Sequence, residues 1–511
     1  LREVGATPDN VDLYVVSTCG EATPKITDHV YLTCDGDLTL SDLGIPRSRI
    51  VWQTSHHMSH AVLAAMQSEI DEELILVLDE KGSGSKRARS LTVCERSIDP
   101  CYYERSSVFI KRSRNAIVPW LADRSTEDQG GSYGSLFHYI TNFIGLDGRY
   151  DSGLTMALAA YGVRHAAFAP LLKRQPNGFH RFIASGHPDT IEGQLCKALE
   201  TRRSDACLPA SNRRSSHSIA ASIARHAQDE LEVGIVGLVE RIIRKSNISS
   251  INLSGGVAQN CVLSGRLAAL TAVEKLSVAS APGDTGQALG NAIVAATAKG
   301  IPIPTIGAFL GPVYTCDRIQ TAINTWGNGL RVLQGNIATR VAHRLSEGYI
   351  VAVFDGRSEY GPRALGARSI LADPRNAKIR GYMNNVVKKR KWFQPFGATI
   401  LDSAVPEMFG RQLRSPFMMV ALPIAQSWIK RIPAVCHIDG TCRFQSTSAK
   451  DGLIFEILVE FNRRTNTPAL LNTSFNLHGT PIIETPEEAI LAFRKMKVDA
   501  LVLGQYFLEK E

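Results

Sequence analysis

Short apolar runs alternate with long amphipathic stretches through the first two thirds of the chain. Val11–Val16 and Leu74–Leu78 are β-rich runs, each followed by turn residues. From Ser216 to Lys245, apolar residues recur at spacings of three or four, which predicts a long helix. The apolar segment INLSGG follows it and ends in a glycine turn. We therefore predict an α/β unit built on an open sheet, with ligands at the carboxyl ends of its strands.

A change of pattern after Gly300 divides the chain. The segment IPIPTIGAFLGPVYT is rich in proline and predicts a connector, and a second unit begins near Val332 with a strand at Tyr349–Gly356. We predict a first domain over residues 1–310 and a second over residues 331–511. The polar segments Arg174–Gly178 and Arg202–Ser216 are predicted loops.

Composition narrows the class of protein. A chain of 511 residues with 44% hydrophobic and 21% charged residues is an ordinary globular protein of two or three domains. The net charge of +8 is spread along the chain, so we expect anion sites rather than a nucleic-acid surface. The ten cysteines form no C-x-x-C pair, which favours a reducing cytoplasm, and no apolar run is long enough to span a bilayer. The first residues, LREVGATPDNVDLYVV, do not have the pattern of a signal peptide.

The segment TSHHMSHAVLAA contains three histidines at the start of an apolar helix, which Ser55 is suited to cap. His56 and His60 are four residues apart and share one helix face, whereas His57 points elsewhere. Two imidazoles on one face bind a metal when a third ligand joins them, and Asp284, in a Pro-Gly-Asp turn, is a candidate. Each feature also has a plainer explanation, since isolated H-x-x-x-H pairs are common and an aspartate at that position caps a helix.

A glycine-rich turn in the same unit suggests a phosphate site. The segment LSGGVAQN leaves a strand through Gly255 and Gly256 and opens a helix, so backbone N–H groups can approach an anion there. The alternative is an ordinary strand-to-helix turn, where glycine is also frequent.

Several longer motifs resemble those of the O-carbamoyltransferases, which include antibiotic-tailoring and nodulation-factor enzymes. They are HHMSHA, DSGLTMALAAYG, NLSGGVAQNCVLSGRL, PGDTGQALGNA, GRSEYGPRALGARSILADPRN and NTSFN, in that order and across nearly the whole chain. The resemblance implies an N-terminal domain like those of actin, Hsp70, the sugar kinases and the threonylcarbamoyl transferases. It implies a YrdC-like α+β domain at the C-terminus. The second domain would make carbamoyl-adenylate from carbamoyl phosphate and ATP with Mg²⁺, and the first would transfer the carbamoyl group to a hydroxyl of a small molecule.

The resemblance also implies roles for residues of the first domain. His56, His60 and Asp284 match the ligands of Fe(II) or another divalent metal. His57 lies beside them, either as a support or as the base that activates the acceptor, with simple packing as the alternative. The remaining matches fall in the adenylate-binding loop: Gly255, Gly256 and Asn260.

The second domain is expected to hold two anions in a cluster of basic and polar side chains. Arginine forks suit phosphate oxygens, and the K-x-R and S-x-N elements of YrdC-like domains have counterparts here. We expect catalytic roles for Arg363, Lys388 and Arg390, and ligand binding by Arg357, Arg368, Arg443, Ser474 and Asn476. The dense polar run CHIDGTCRFQS, with His437 and Asp439, adds to this cluster. The alternative is a solvated basic surface.

The chain departs from the family pattern at several polar positions. The family begins further upstream, with a strand hairpin that carries a phosphate-side motif, so the first domain is expected to be N-terminally truncated. Leu154, Ala157, Ser264, Lys391 and Gln394 replace Lys, Gly, Asn, Glu and Arg of the common pattern. These changes indicate either a different acceptor or a catalytically impaired relic that still binds nucleotide.

A threonylcarbamoyl-type tRNA modification enzyme is the other alternative, although the GPRALGARSILADPR block favours O-carbamoyl transfer. We expect a small-molecule hydroxyl acceptor such as a nodulation-factor sugar or an antibiotic, no membrane partner, no nucleic-acid partner and, by default, a homodimer.

Overall fold

A computed structural model describes residues 55–82, 84–85, 102–113, 116–126, 129–164, 168, 170–182, 219–333 and 335–511, together with residue 11 and short strands at 14–16, 29–33, 36–39 and 50–52. The loop predicted at Arg202–Ser216 lies outside the described residues. Both sheets described below are mixed and combine with helices, so the predicted α/β class is confirmed.

The first part of the chain contains twelve strands and six helices among its described residues. The strands are β1 (Tyr14–Val16), β2 (His29–Thr33), β3 (Gly36–Thr39), β4 (Ile50–Trp52), β5 (Glu73–Leu78), β6 (Gly84–Ser85), β7 (Tyr102–Ser113), β8 (Ala116–Ser125), β9 (Leu172–Arg174), β10 (His180–Phe182), β11 (Ser250–Ser254) and β12 (Lys275–Val278). The helices are α1 (His56–Gln67), α2 (Tyr133–Phe143), α3 (Ser152–Ala159), α4 (Ile219–Ser246), α5 (Cys261–Ala268) and α6 (Gln287–Ala298).

Strand β5 lies inside the first sheet, with a neighbouring strand on each side, and all six of its residues are buried. It pairs in parallel with β11, which pairs in parallel with β12, and on its other side it pairs antiparallel with β7. A continuous apolar run suits a strand that is covered on both faces. The predicted strand at Leu74–Leu78 and the strand after the long helix are therefore confirmed, and the carboxyl ends of β5, β11 and β12 meet at one edge.

The second part of the chain forms a larger sheet with helices around it. Its strands are β13 (Leu330–Leu333), β14 (Val351–Phe354), β15 (Arg368–Ala372), β16 (Gly397–Leu401), β17 (Val420–Pro423), β18 (Thr441–Thr447), β19 (Ala469–Ser474), β20 (Ala500–Leu503) and β21 (Tyr506–Lys510). Its helices are α7 (Cys316–Trp326), α8 (Ile337–Ser346), α9 (Ala377–Tyr382), α10 (Val405–Phe409), α11 (Gln426–Arg431), α12 (Leu453–Thr465) and α13 (Pro486–Lys495). The strand order is β13-β21-β20-β14-β15-β19-β16-β18-β17.

The two parts are in close contact. Helix α5 lies against β17, where a Cβ on Gly265 would come within 1.7 Å of the carbonyl oxygen of Ala421. The Tyr360 hydroxyl donates a hydrogen bond to the carbonyl oxygen of Thr285 (2.5 Å), and the Ser280 hydroxyl donates to the carbonyl oxygen of Tyr360 (3.0 Å). The space between the parts is therefore shaped by both. Among the described helices, none is long and apolar enough to cross a membrane.

Candidate metal centre and interdomain cavity

Helix α1 begins as predicted and brings two imidazoles together. The Ser55 hydroxyl accepts a hydrogen bond from the backbone N–H of Met58, which fixes the start of the helix. His56 and His60 point from one face, with their Nε2 atoms 3.2 Å apart, and both side chains are buried.

Two carboxylates complete the cluster from the edge where the parallel strands end. Asp284 Oδ1 lies 3.0 Å from His56 Nε2 and 3.4 Å from His60 Nε2. Asp79, directly after β5, places Oδ2 at 3.1 and 3.2 Å from the same two nitrogens. The four donor atoms all lie within 4.8 Å of one another. Tetrahedral ligands at usual zinc-like bond lengths are separated by about 3.3 Å, so the predicted set of three fits a metal and gains a fourth member.

The charges of the cluster favour a cation. Burial alone would lower the pKa of His56, but hydrogen bonds and charge from Asp284 and Asp79 outweigh it and raise the pKa to about 10. Burial would raise the pKa of Asp284, yet the two histidines lower it to about 2, and they also lower the pKa of Asp79. Both carboxylates are therefore ionised. Two facing Nε2 atoms at hydrogen-bond distance, each also facing carboxylate oxygen, suit a shared divalent cation better than a shared proton.

Sequence reasoning missed Asp79, although a signal was present. An acidic residue immediately after a continuous apolar strand lies at the carboxyl end of that strand, which is where ligands bind in open sheets. Asp79 Oδ1 also accepts a hydrogen bond from the backbone N–H of Gly256 (3.3 Å). The carboxylate is thus held by the glycine turn on one side and faces the histidines on the other.

His57 lies behind this cluster. Its side chain is fully buried, its Nδ1 lies 2.8 Å from the Ser107 hydroxyl, and its backbone N–H donates to Glu104 (3.2 Å). Burial lowers its pKa to about 4, so the ring is neutral. This position favours a role in packing or in supporting the metal ligands, rather than direct contact with an acceptor.

Two residues of the predicted adenylate-binding loop have structural roles within the turn and the helix that follows it. Gly255 adopts φ +86°, and a Cβ there would lie 2.2 Å from the carbonyl oxygen of Leu78, so only glycine fits the turn. The Asn260 side chain caps α5 by accepting from the N–H of Leu263 (3.0 Å), and it also donates to Gln228 (2.8 Å). The side chain of Asn260 is therefore engaged within the protein.

A cavity of about 750 Å³ lies between the two parts of the chain. One wall, from α3 and the start of α5, is mainly apolar and contains Leu154, Met156, Ala157, Cys261 and Val262. The opposite wall contains most of the site residues predicted for the second domain: Arg363, Lys388, Arg390, Arg443, Ser474 and Asn476. The cavity also contains Lys391 and Gln394, two positions where the chain departs from the family pattern.

Lys388 is the most constrained cation of this cavity. Its Nζ donates to the carbonyl oxygen of Ser474 (2.8 Å) and to the backbone and side-chain oxygens of Asn476 (3.2 and 2.5 Å). Burial and then the charge of Arg390 lower the pKa of Lys388 to about 7. Lys388 of the K-x-R element is thus in direct contact with Ser474 and Asn476 of the S-x-N element, a contact that the sequence did not predict.

The arginines of the cavity repel one another. Burial and the charge of Arg443 lower the pKa of both Arg363 and Arg390 to about 9, which still leaves both charged at neutral pH. Arg390 stacks over Phe396 at 4.1 Å and donates to the side-chain oxygen of Asn384 (2.7 Å) and the carbonyl oxygen of Pro395 (3.2 Å), so neutral groups rather than a carboxylate hold its guanidinium. A half-buried group of like charges indicates a site for one or more anions.

Two arginines predicted to bind ligand are not brought to this cavity. Arg368 is fully buried, stacks on Phe354 (3.6 Å) and donates to the carbonyl oxygens of Asp355 and Gly356 (3.1 Å each). Arg357 donates to the carbonyl oxygen of Gly311 (2.6 Å). Arg357, Arg363 and Arg368 lie within twelve residues of sequence, which suggested one cluster. Of the three side chains, only that of Arg363 lines the cavity.

Comparisons with known proteins agree over most of the chain. The model of the carbamoyltransferase N-terminus matches residues 4–293, and that of the carbamoyltransferase C-terminus matches residues 342–510. Nodulation protein NolNO of Sinorhizobium fredii is 30% identical over 502 residues, covering 94% of this chain and 68% of that protein. Nodulation protein NolO of Bradyrhizobium diazoefficiens is 29% identical over 470 residues, covering 89% and 79%. Among solved structures, a ROK family glucokinase from Streptomyces griseus in complex with glucose and AMPPNP matches 57% of this chain and 85% of its own, at 12% identity and a TM-score of 0.25, which is too low to assign a common fold.

Proposed function

This chain belongs to the carbamoyltransferase family, and from that premise we propose that it is an ATP-dependent O-carbamoyltransferase. In this proposal, carbamoyl phosphate and ATP with Mg²⁺ form carbamoyl-adenylate, and the carbamoyl group then passes to a hydroxyl of a small molecule.

The observation that carries the proposal is the interdomain cavity, with cations on one wall and apolar side chains on the other. Lys388, Arg390 and Arg443 provide donors for phosphate oxygens, and they lie close enough to influence one another's charge. The wall formed by Leu154, Ala157 and neighbouring residues suits the flat face of a purine. A cavity of this size accommodates a nucleotide and a small acyl phosphate together.

The second part of the proposal concerns the cluster at α1. His56, His60, Asp79 and Asp284 would hold a divalent metal, for which we propose Fe(II). When bound, such an ion supplies Lewis-acid polarisation of a carbonyl oxygen and a template for ligand oxygens. The chain's own contribution is to hold the donors in place: the N–H of Gly256 fixes Asp79, and the Gln287 side chain donates to the carbonyl oxygen of His56 (3.1 Å).

For the acceptor we propose a sugar hydroxyl. Both relatives reported above are named nodulation proteins, so the sugar of a nodulation factor is the first acceptor to test, and an antibiotic sugar is the second. The cations named above converge on a concave cavity rather than along an extended surface, which supports small anionic substrates over the long phosphate backbone of a tRNA.

The test is release of pyrophosphate from ATP and carbamoyl phosphate in the absence of acceptor. We expect pyrophosphate from the wild-type chain and from Asp284→Asn, because adenylation does not require the α1 cluster, and none from Lys388→Met. Transfer of labelled carbamoyl to an oligosaccharide panel should require Asp284 as well. A folded wild-type protein that binds ATP but releases no pyrophosphate would favour the impaired relic, and tRNA binding with a steep salt dependence would favour the tRNA enzyme.

A further inference from the structure

His437 and Asp439 form an imidazole–carboxylate pair at the edge of the interdomain cavity. His437 Nδ1 lies 3.6 Å from Asp439 Oδ1, an ion-pair rather than a hydrogen-bond distance. Asp439 is held by the backbone N–H (3.0 Å) and hydroxyl (2.7 Å) of Thr441, and the N–H of His437 donates back to the carbonyl oxygen of Thr441 (2.8 Å). The tight turn therefore fixes the side chain of Asp439 and the backbone of His437.

The other ring nitrogen of His437 faces away from this carboxylate. His437 lines the cavity, only 9% of its side chain is exposed, and Nε2 is buried without a hydrogen bond to any residue that the structure describes. The ring of Tyr161, from the first part of the chain, packs edge-on against it with centroids 5.7 Å apart. A buried imidazole with one nitrogen beside a carboxylate and the other without a partner is arranged for proton exchange with a ligand.

The proposed reaction needs such a group. Carbamoyl phosphate and ATP give carbamoyl-adenylate, pyrophosphate and phosphate only if one water is consumed, because the phosphate of carbamoyl phosphate leaves by hydrolysis. When that water attacks the carbamoyl carbon, it supplies the oxygen that stays on carbamate. The water oxygen bonds to the carbamoyl carbon, and the bond from that carbon to the phosphate oxygen breaks with its electron pair on the phosphate. Both water protons end on phosphate, which gives carbamate and dihydrogen phosphate. The carboxylate oxygen of carbamate then displaces pyrophosphate from ATP.

Most neighbouring side chains are poor bases for that water, and His478, the other imidazole that lines the cavity, is exposed to solvent. Arginine has no acceptor, and Lys388 already donates to Ser474 and Asn476. Asp151 lies on the opposite wall, beside α3. His437 combines an available nitrogen with a fixed carboxylate on the cationic wall itself.

We propose that His437 is a further catalytic residue of the cavity, the general base that takes a proton from the attacking water and returns it to the departing phosphate. Asp439 is its positioning residue, and the negative charge of its carboxylate beside Nδ1 favours the tautomer that carries the Nδ1 proton. This inference rests on the proposed function and assigns the hydrolytic half of it.

The experiment separates two half-reactions of the full-length chain. The first is release of phosphate and pyrophosphate from carbamoyl phosphate and ATP. The second supplies freshly dissolved ammonium carbamate in place of carbamoyl phosphate and measures ATP–pyrophosphate exchange, which needs no water. We expect His437→Gln to lose about 100-fold or more in kcat of the first reaction, as is typical of a removed acid–base group, and to keep the second. Asp439→Asn should show the same split with a smaller loss, and imidazole in the buffer should restore part of the first reaction to His437→Ala.

His343→Gln is the matched control, because His343 also lies beside a carboxylate, Glu347 at 3.7 Å, but on an exposed helix surface. It should leave both reactions unchanged. Equal loss of both reactions in His437→Gln would mean a binding or structural role and would overturn the inference, as would full retention of the first reaction. A wild-type chain inactive in both would instead remove the proposed function on which the inference depends.

Discussion

The four side chains at the start of α1 show how a metal site is assembled from separate parts of a chain. His56 and His60 share a helix face, whereas Asp79 and Asp284 come from the ends of two strands. All four donor atoms converge, although only three were predicted, because pairing between β5, β11 and β12 is not written in any local pattern. The histidine spacing was visible in the sequence, and so was an acidic residue after β5, but only the strand pairing places that residue beside the histidines.

We therefore predict that Asp79 is as important for metal binding as Asp284. Asp79→Asn keeps the shape of the side chain but removes its negative charge. Loss of a residue that only supports a ligand lowers metal affinity by about 10–100-fold, and we expect a larger loss for Asp79→Asn. The measurement is a competition titration of Co²⁺ or Fe²⁺ with a chelator, with Asp284→Asn beside it. Asp71→Asn, on the exposed turn before β5, serves as the control. Equal affinity of Asp79→Asn and the wild type would exclude Asp79 as a ligand.

Lys388 leads to a pH-dependent prediction. Its pKa of about 7 in the folded protein lies below the ordinary value of 10.5, so the unfolded chain binds the extra proton between these values. The contribution of Lys388 to stability therefore rises as pH increases from about 7 to 10.5. An anion in the cavity favours the charged amine and reverses the shift.

Anion binding at pH 8 should consequently be accompanied by proton uptake. Sulfate is a suitable probe because it does not titrate in this range, and calorimetry in two buffers of different ionisation enthalpy measures the protons taken up. We expect close to one proton for the wild type and for the exposed control Lys378→Met, and none for Lys388→Met. Uptake that survives in Lys388→Met would assign the proton to another group.

At the scale of elements, we predict that the contact between α5 and β17 affects both the stability of the protein and anion binding in the cavity. Gly265→Ala would place a methyl group 1.7 Å from the Ala421 carbonyl oxygen, whereas Gly237→Ala, on an exposed face of α4, meets nothing within 4 Å. We expect Gly265→Ala to cost about 1–3 kcal/mol, as overpacking does, and Gly237→Ala to stabilise by about 0.5–1 kcal/mol. Because Cys261 and Val262 of the same helix line the cavity, only Gly265→Ala should also weaken sulfate binding. Thermal midpoints and sulfate titrations check both, and equal midpoints for the two variants would contradict the close contact.

The same elements show which structural features could be predicted from the sequence and which could not. The start of α1, the apolar strand β5 and the described part of the long helix α4 were predicted correctly because each depends on neighbours in sequence. Arg357 and Arg368 were predicted to join Arg363, but their directions depend on the fold of a turn and on the carbonyl oxygens around it. Leu154 and Ala157 were singled out as departures from the family pattern, but the apolar wall that they help to form was not predicted, because it becomes a wall only when a distant part of the chain lies opposite.

At the scale of the whole molecule, both parts of the chain line the same cavity, so a ligand bound there contacts both. The net charge of +8 is spread along the sequence, yet six lysine and arginine side chains line one cavity, where partial burial weakens the screening of their repulsion by solvent. Their repulsion lowers the stability of the protein without ligand, and an anionic ligand relieves it. Since the opposite wall comes from α3 and α5, a nucleotide that spans the cavity stabilises both parts together.

Hydrogen exchange with a non-hydrolysable ATP analogue tests this coupling. A ligand at 100 times its dissociation constant stabilises the binding-competent state by about 2.7 kcal/mol, so amides that exchange by opening of the cavity should slow by about 100-fold. We expect protection in α3 (Ser152–Ala159) as well as around Lys388–Arg390 and Ser474–Asn476, with none of it in Lys388→Met. Protection limited to the second part of the chain would mean that the ligand lies on the cationic wall alone. The apolar wall would then be free to bind the acceptor, and its substitutions at Leu154 and Ala157 would bear on acceptor choice rather than on ATP.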